Sequence, residues 1–247
     1  MNIKNFFLNT FNCKRNTSDI SLTYDEFMRR ETFRFSPSYA MRMVSIHGGK
    51  HLIDSKETGG ILLFLHHGSF FLSGGSITHK LGLNFSLIAS RRNLKFLPSD
   101  EQEFWKNVHR RSAKLYENRL MYSDYGVRNI LNFLNHNIFL GVAVDVQEKG
   151  YHHQTRCFQF QDKHLFFQTS AERLAILSKK KVFGMVIVYD SKKKMHDLHI
   201  SPPLLPDKSF SASQSALEFM ESIIPVDHSQ MFHNLNKLFS KSSSGSN

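Results

Sequence analysis

The sequence predicts a single α/β domain with a mixed, largely parallel β-sheet flanked by helices. Two observations favour this fold class. Short apolar runs rich in β-branched and aromatic residues alternate with longer segments in which apolar residues recur at helical spacing. The chain of 247 residues is long enough for one large core, and neither an internal repeat nor a linker divides it.

Five segments are predicted to be β-strands. The first four are short, apolar and bounded by turn residues, which is typical of buried strands. The fifth alternates apolar and polar residues and is followed by Pro202 and Pro203, so we expect it at a sheet edge. The predicted strands cover residues 60–65, 85–89, 138–146, 182–189 and 196–201.

Helices are predicted between and after these strands. One begins at a capping segment, Ser99 and the two acidic residues after it, and places Phe104 and Val108 on one face. Another begins with a Thr169 cap and ends in three lysines, whose charge suits the carboxyl end of a helix. The predicted helices cover residues 99–119, 124–135, 169–181, 211–224 and 229–239.

Composition narrows the class of protein. Because 32 Lys and Arg face 21 Asp and Glu, the net charge of +11 indicates either anionic partners or simple solubility. Cys13 and Cys157 are far apart and outside any CxxC pattern, so neither a disulfide framework nor a zinc site is predicted. We expect an amphipathic helical segment at residues 1–30, the domain at residues 31–239, and a disordered Ser-rich tail at residues 240–247.

No apolar run approaches the roughly 18–20 residues that a membrane span needs. The N-terminal segment also lacks the apolar core and cleavage site of a secretory signal. We therefore expect a cytoplasmic protein that contacts the inner face of the cell membrane peripherally at most, through its first 30 residues. A first helix that simply packs on the domain is the alternative for that segment.

The most informative stretch is residues 60–71, GILLFLHHGSFF, in which a predicted strand runs into His66, His67, Gly68 and Ser69. In α/β sheets the carboxyl ends of strands border the ligand crevice. A histidine placed there can act as a general base, and backbone N–H groups of Gly68 and Ser69 at the next helix start can stabilise an oxyanion. Alternatively, both histidines cap the strand through local hydrogen bonds.

This stretch resembles the catalytic block of the late (lauroyl/myristoyl) acyltransferases of lipid A biosynthesis, in the lysophospholipid acyltransferase-like superfamily. Their pattern is a strand followed by His-x-Gly-Asn-Trp-Glu, one form of His-x4-Asp/Glu, and here His66 and Gly68 match it. Similar blocks follow in family order across roughly residues 40–235. They are residues 46–52 before the strand and, after it, Arg91–Arg92, Arg110–Arg111, the strand 141–147 with Asp145 and Gln147, residues 158–160, Thr169 with residues 171–175, and the closing segment 225–237.

The resemblance implies acyl transfer from an acyl carrier protein or a coenzyme A thioester to a hydroxyl or amine acceptor, without an acyl-enzyme. His66 would act as the general base. The resemblance implies neither a cofactor nor a metal, because the acyl thioester is itself the donor substrate. An anionic lipid or a phosphorylated acceptor would suit the basic residues and Gln147, although a solvated helix face explains those residues nearly as well. These predicted substrate-binding residues are Arg91, Arg92, Arg110, Arg111 and Gln147. Nucleic acid is not an expected partner, since no nucleic-acid-binding motif accompanies the charge.

One departure from the family pattern bears directly on catalysis. The acid of His-x4-Asp/Glu, which orients the imidazole, is replaced by Phe71. Three interpretations stay open: Asp145 or Glu148 supplies the carboxylate, the acceptor is an easily activated amine, or the protein is an inactive relative that binds an anionic lipid or carrier. A convincing N-terminal anchor is also missing, which leaves room for a soluble acyl or aminoacyl transferase of natural-product or sugar biosynthesis.

Overall fold

The computed structural model describes residues 31–95, 99–117, 119–145 and 155–224 together with residue 230, except for the side chains of Arg92 and Asn93. The segments predicted at residues 1–30 and 240–247 lie outside this part of the chain, as does most of the helix predicted at residues 229–239. Within the described residues, no helix combines the length and apolar character needed to cross a membrane.

A mixed β-sheet forms the centre of the domain. Its strands are β1 Val44–His47, β2 Gly60–Phe64, β3 Phe85–Ala89, β4 Met121–Tyr122, β5 Phe139–Ala143, β8 Lys181–Asp190 and β9 Met195–Ile200. They lie in the order β1-β9-β8-β2-β5-β3-β4, and every neighbouring pair is parallel except β8 and β9. The remaining strands, β6 Thr155–Phe160 and β7 Lys163–Gln168, form a separate antiparallel hairpin.

Helices cover both faces of the sheet. They are α1 Pro37–Met43, α2 Gly49–Ile53, α3 Phe70–Leu81, α4 Arg91–Leu94, α5 Ser99–Leu115, α6 Val127–Leu134, α7 Ser170–Ser178 and α8 Ser211–Glu221, with a 3-10 turn at Ser123–Tyr125. Side chains of β2 alternate between the faces, as the pleat requires. Leu62 and Phe64 pack towards α3 and α5, whereas Ile61 and Leu63 pack towards α6, α7 and α8. The predicted α/β class, a mixed and mostly parallel sheet flanked by helices, is confirmed.

Several predicted details are wrong. The strand at residues 196–201 is not an edge strand, because β1 pairs with β9 in parallel on its far side. The helix predicted to reach residue 119 ends at Leu115. The helix predicted at residues 169–181 ends at Ser178, where Lys179 adopts a left-handed conformation, and the Thr169 side chain makes no capping hydrogen bond. The β6–β7 hairpin was not predicted at all.

The connections from β2 and β5 run in opposite directions, which is the position at which α/β sheets form a ligand crevice. From β2 the chain passes through α3 to β3, beyond β5, whereas from β5 it passes through the hairpin and α7 to β8, on the other side of β2. The connections from these neighbouring strands therefore diverge, and α3 and α7 lie on opposite faces of the sheet. In α/β folds, ligands bind at the carboxyl ends of strands where connections diverge in this way.

Candidate active site

A histidine and a carboxylate meet at this crevice. His66 follows the end of β2 and Asp145 follows the end of β5, and these two strands are neighbours. Asp145 Oδ1 lies 2.8 Å from His66 Nδ1, and Asp145 Oδ2 accepts the His66 backbone N–H at 3.0 Å. Because a carboxylate only accepts hydrogen bonds, Nδ1 carries a proton, and in the neutral imidazole Nε2 is the basic nitrogen.

The two side chains of the pair differ in burial. The Asp145 side chain is 0% exposed, whereas the His66 side chain is 16% exposed. A buried carboxylate can hold an imidazole in one orientation, and the partial exposure of the His66 side chain distinguishes it from a fully enclosed histidine. Of the carboxylates considered from the sequence, Asp145 occupies this position. Glu148 and Gln147 lie outside the described residues.

The predicted acid position belongs instead to an aromatic cluster. The ring centroid of Phe71 lies 4.1 Å from that of Phe70 and 6.3 Å from that of Trp105 in α5. Phe70 in turn meets the His66 ring edge-on at 4.6 Å. Phe71 is therefore part of the core beneath the site. The carboxylate that binds His66 comes from the end of β5 rather than from α3, the helix that contains Phe71.

The loop between β2 and α3 is braced by the end of β8. Gly68 has φ +55°, and a Cβ atom there would lie 2.1 Å from the Ile187 carbonyl oxygen, so this position requires glycine. The same carbonyl lies 2.9 Å from His67 Nδ1, which donates to it. The side chains of both histidines thus bind partners far along the chain, Ile187 for the buried His67 and Asp145 for His66, rather than forming the local capping hydrogen bonds of the alternative interpretation.

Residue 230 completes this brace. The Gly68 N–H donates to the Gln230 carbonyl at 3.1 Å, and the Gln230 side-chain amide pairs with both backbone groups of Tyr189, at 2.7 and 2.8 Å. The Gly68 N–H would therefore reach a substrate oxyanion only if its bond to Gln230 opened. Ser69, the other predicted donor, is fully buried at the start of α3. Gln230 was not singled out in the sequence: it lies within residues 225–237, which resemble the closing segment of the family, but that resemblance rests on a proline, an aromatic residue and a histidine.

Arg91 lies at the same edge of the sheet, just after β3. Its guanidinium stacks 3.8 Å above the Tyr122 ring and lies 3.6 Å from the Asp124 carboxylate. His109 lies nearby. Its pKa is lowered to about 4, mainly by burial and secondly by the positive charge of Arg91. Arg91 is thus positioned by its own partners, and the side chain of Arg92 lies outside the described part.

Arg110 and Arg111 form a separate basic region on α5. Arg110 donates to Asn107 Oδ1 at 2.9 Å, and Arg111 donates to the Phe33 carbonyl at 3.2 Å. Neither shares a side-chain partner with Arg91 among the described residues. The predicted arginine cluster is therefore divided between two places.

Comparison with known proteins adds no family assignment: no protein-family model matches the chain, and no curated protein matches it significantly. As to metals, the described residues contain no group of three or more His, Cys, Asp or Glu side chains arranged to hold an ion.

Proposed function

We propose that this protein is an acyltransferase that moves an acyl group from a thioester of an acyl carrier protein or coenzyme A to a hydroxyl or amine acceptor. The observation that carries the proposal is the pairing of His66 with the buried Asp145 at the mouth of the crevice. This arrangement supplies an oriented general base where α/β sheets bind their ligands.

In the proposed reaction, His66 Nε2 takes the proton of the acceptor hydroxyl or amine. The acceptor oxygen or nitrogen forms a bond to the thioester carbonyl carbon, and the carbon–sulfur bond then breaks. The proton passes from the imidazolium to the departing thiolate, so the dyad returns to its starting state. Asp145 stabilises the imidazolium while it exists, a role that does not require Asp145 itself to be protonated.

The surroundings of the dyad support an apolar acyl donor. Phe70 contacts the imidazole ring, and Phe64 lies with its ring 5.7 Å away. Both rings are buried, so they hold the imidazole in place and make its surroundings apolar, which suits an apolar acyl donor. The net charge of +11 suits an anionic donor or acceptor in the cytoplasm or at the inner face of the membrane.

A binding protein without catalysis is the competing function. Its main support was the loss of the acid at Phe71, and the Asp145 carboxylate weakens that support because it accepts a hydrogen bond from the imidazole. The two functions differ in a measurable way, since only an enzyme requires the basic nitrogen of His66.

The test uses purified full-length protein with lauroyl-coenzyme A and lauroyl–acyl carrier protein as donors. Thiol release is followed in the presence of a hydroxyl acceptor, lysophosphatidic acid, or an amine acceptor, ethanolamine, and products are identified by mass spectrometry. With His66→Ala, we expect thiol release to fall by about 10²–10⁴-fold, the usual contribution of a positioned general base.

His164→Ala is the matched control, because His164 is an exposed histidine on β7 and is expected to leave the rate unchanged. Water can serve as a slow acceptor, so His66-dependent thiol release is expected even if neither added acceptor is the natural one. Absence of thiol release from both donors, or equal rates for His66→Ala and the unaltered protein, would contradict acyl transfer.

A further inference from the structure

A pocket lies between α5 and the segment that leads into α1, apart from the dyad. Its volume is about 410 Å³. Three cationic side chains of α5 line it together with polar and apolar groups. The lining consists of Phe35, Ser36, Pro37, Asn107, Arg110, Arg111, Lys114 and Leu115.

Among the described residues, no carboxylate forms an ion pair with the cations of this pocket. Within the described residues, Arg110 and Arg111 donate only to the neutral oxygens of Asn107 and Phe33. Lys114 lies one turn after Arg110, where two like charges on a helix repel each other. By contrast, other arginines of the same structure have acidic partners, as in Arg34–Glu31, Arg91–Asp124 and Arg119–Glu117.

The rest of the lining favours an anion attached to a larger ligand. Phe35 and Leu115 are buried apolar residues, while Ser36 and Asn107 add hydrogen-bonding groups. Guanidinium groups match the oxygens of a phosphate in geometry and charge, and a nearby ammonium group adds a third positive charge. A carboxylate ligand would use fewer of these donors.

We propose that this pocket binds a phosphate group carried by a larger ligand. The phosphate would accept hydrogen bonds from Arg110 and Arg111 and lie close to Lys114, with the apolar part of the ligand against Phe35 and Leu115. This site is independent of acyl transfer, and it exists whether or not the dyad catalyses that reaction.

The pocket connects with the dyad through a continuous series of aromatic rings. Phe35 lies 6.4 Å from Phe71, Phe71 lies 4.1 Å from Phe70, and Phe70 lies 4.6 Å from His66. Because these phenylalanine rings are buried, they pack the wall of the pocket against the core beneath the dyad and offer no open path between the two sites.

Calorimetric titration of the full-length protein at low salt tests the site. The probes are inorganic phosphate, coenzyme A, dephospho-coenzyme A, and vesicles with or without phosphatidic acid. Saturable binding that weakens as salt is added is expected for at least one probe. Preference for coenzyme A over dephospho-coenzyme A would identify a nucleotide carrier of the phosphate, and preference for phosphatidic acid vesicles would identify a lipid.

The double variant R110Q/R111Q is expected to weaken this binding by about tenfold or more, because two charge-assisted contacts are lost. Lys114→Gln provides a second test in which the contact to Phe33 is kept. Arg128→Gln is the control, since Arg128 is an exposed arginine of α6 on the opposite face of the sheet.

His66→Ala should bind the probe as the unaltered protein does, which separates this site from the proposed reaction. The absence of saturable binding to every probe would overturn the proposal. Unchanged affinity in both R110Q/R111Q and Lys114→Gln, with thermal unfolding like that of the unaltered protein, would overturn it as well.

Discussion

Among the described residues, two of the three histidine–carboxylate pairs are fully or largely buried, the exposed third being His47–Asp197, and these two have similar chemistry but different surroundings. At the crevice, His66 Nδ1 lies 2.8 Å from Asp145. Beside the far strands of the sheet, His196 Nε2 lies 3.3 Å from Glu31. A search for paired His and acidic side chains alone would rank the two sites together.

Accessibility separates them. The His196 side chain is 0% exposed, and Tyr189 covers its ring at 4.9 Å. Glu31 also accepts the Tyr39 hydroxyl at 2.6 Å and pairs with Arg34 at 3.1 Å. This second pair joins the chain before α1 to β9, and its imidazole cannot meet a solute. Position at the crevice and partial exposure, rather than pairing with a carboxylate, therefore distinguish His66 as a candidate base.

The largest contrast is expected from matched amide substitutions of the two acids. Asp145→Asn presents an N–H to His66 Nδ1, which forces the proton onto Nε2 and removes the base. We expect activity to fall by about 10³–10⁴-fold. Glu31→Gln should instead lower the free energy of unfolding by about 2–4 kcal/mol and keep the activity per folded molecule, since it weakens a buried network.

Thiol release and urea denaturation of both variants measure the two effects. The functional distinction between the pairs fails if Glu31→Gln, while folded, loses activity as severely as Asp145→Asn does. It also fails if Asp145→Asn is fully active.

The next largest effect concerns the loop that presents His66. Gly68 and Gly82 both have positive φ, of +55° and +67°. At Gly68 an added Cβ atom would collide with a neighbouring backbone, whereas at Gly82 nothing lies within 4 Å of the added atom. Gly82→Ala should cost about 1 kcal/mol from backbone strain alone. Gly68→Ala should cost about 3 kcal/mol or more and disturb the site. Equal urea midpoints for the two variants would mean that the loop is not braced against β8.

Much of this site could be predicted from the sequence because its signals are local. The apolar run before His66 predicts a buried strand, and a residue just after such a strand lies at the carboxyl edge. Asp145 follows another apolar run in the same way. What no local pattern provides is that β2 and β5 are neighbours, so the sequence left Asp145 as one of several possible partners for His66.

The features that were missed depend on distant pairing. His196 was placed on an edge strand because alternation and the following prolines suggest one, but β1 was not identified as a strand and its pairing with β9 could not be foreseen. Glu31 and His196 are 165 residues apart, and Gln230 reaches Gly68 across a similar separation. Packing of β1 and β8, rather than spacing, brings these residues together.

A smaller effect is expected from the titration of Glu31. Burial alone would raise the pKa of Glu31, but hydrogen bonds from His196 and Tyr39 outweigh burial and hold it below its ordinary 4.5. The folded protein therefore binds fewer protons than the unfolded chain near that pH, and this contribution to stability is present above about pH 4.5 and lost as pH falls further. Urea midpoints of the unaltered protein and Glu31→Gln should converge between about pH 6 and about pH 3.5. A constant difference would contradict the lowered pKa.

The smallest effect concerns a third histidine, which faces a cation instead of a carboxylate. Burial and, second, the positive charge of Arg91 together lower the pKa of His109 from 6.5 to about 4. Arg91→Gln removes that charge but not the burial, so the His109 pKa should rise while remaining below 6.5. The folded protein then takes up the proton at a higher pH. The pH range over which protonation of His109 reduces the stability of the fold therefore becomes narrower.

Imidazole resonances followed by NMR report the change, with Arg128→Gln as the control. An unchanged His109 pKa in Arg91→Gln would show that burial alone keeps this histidine neutral.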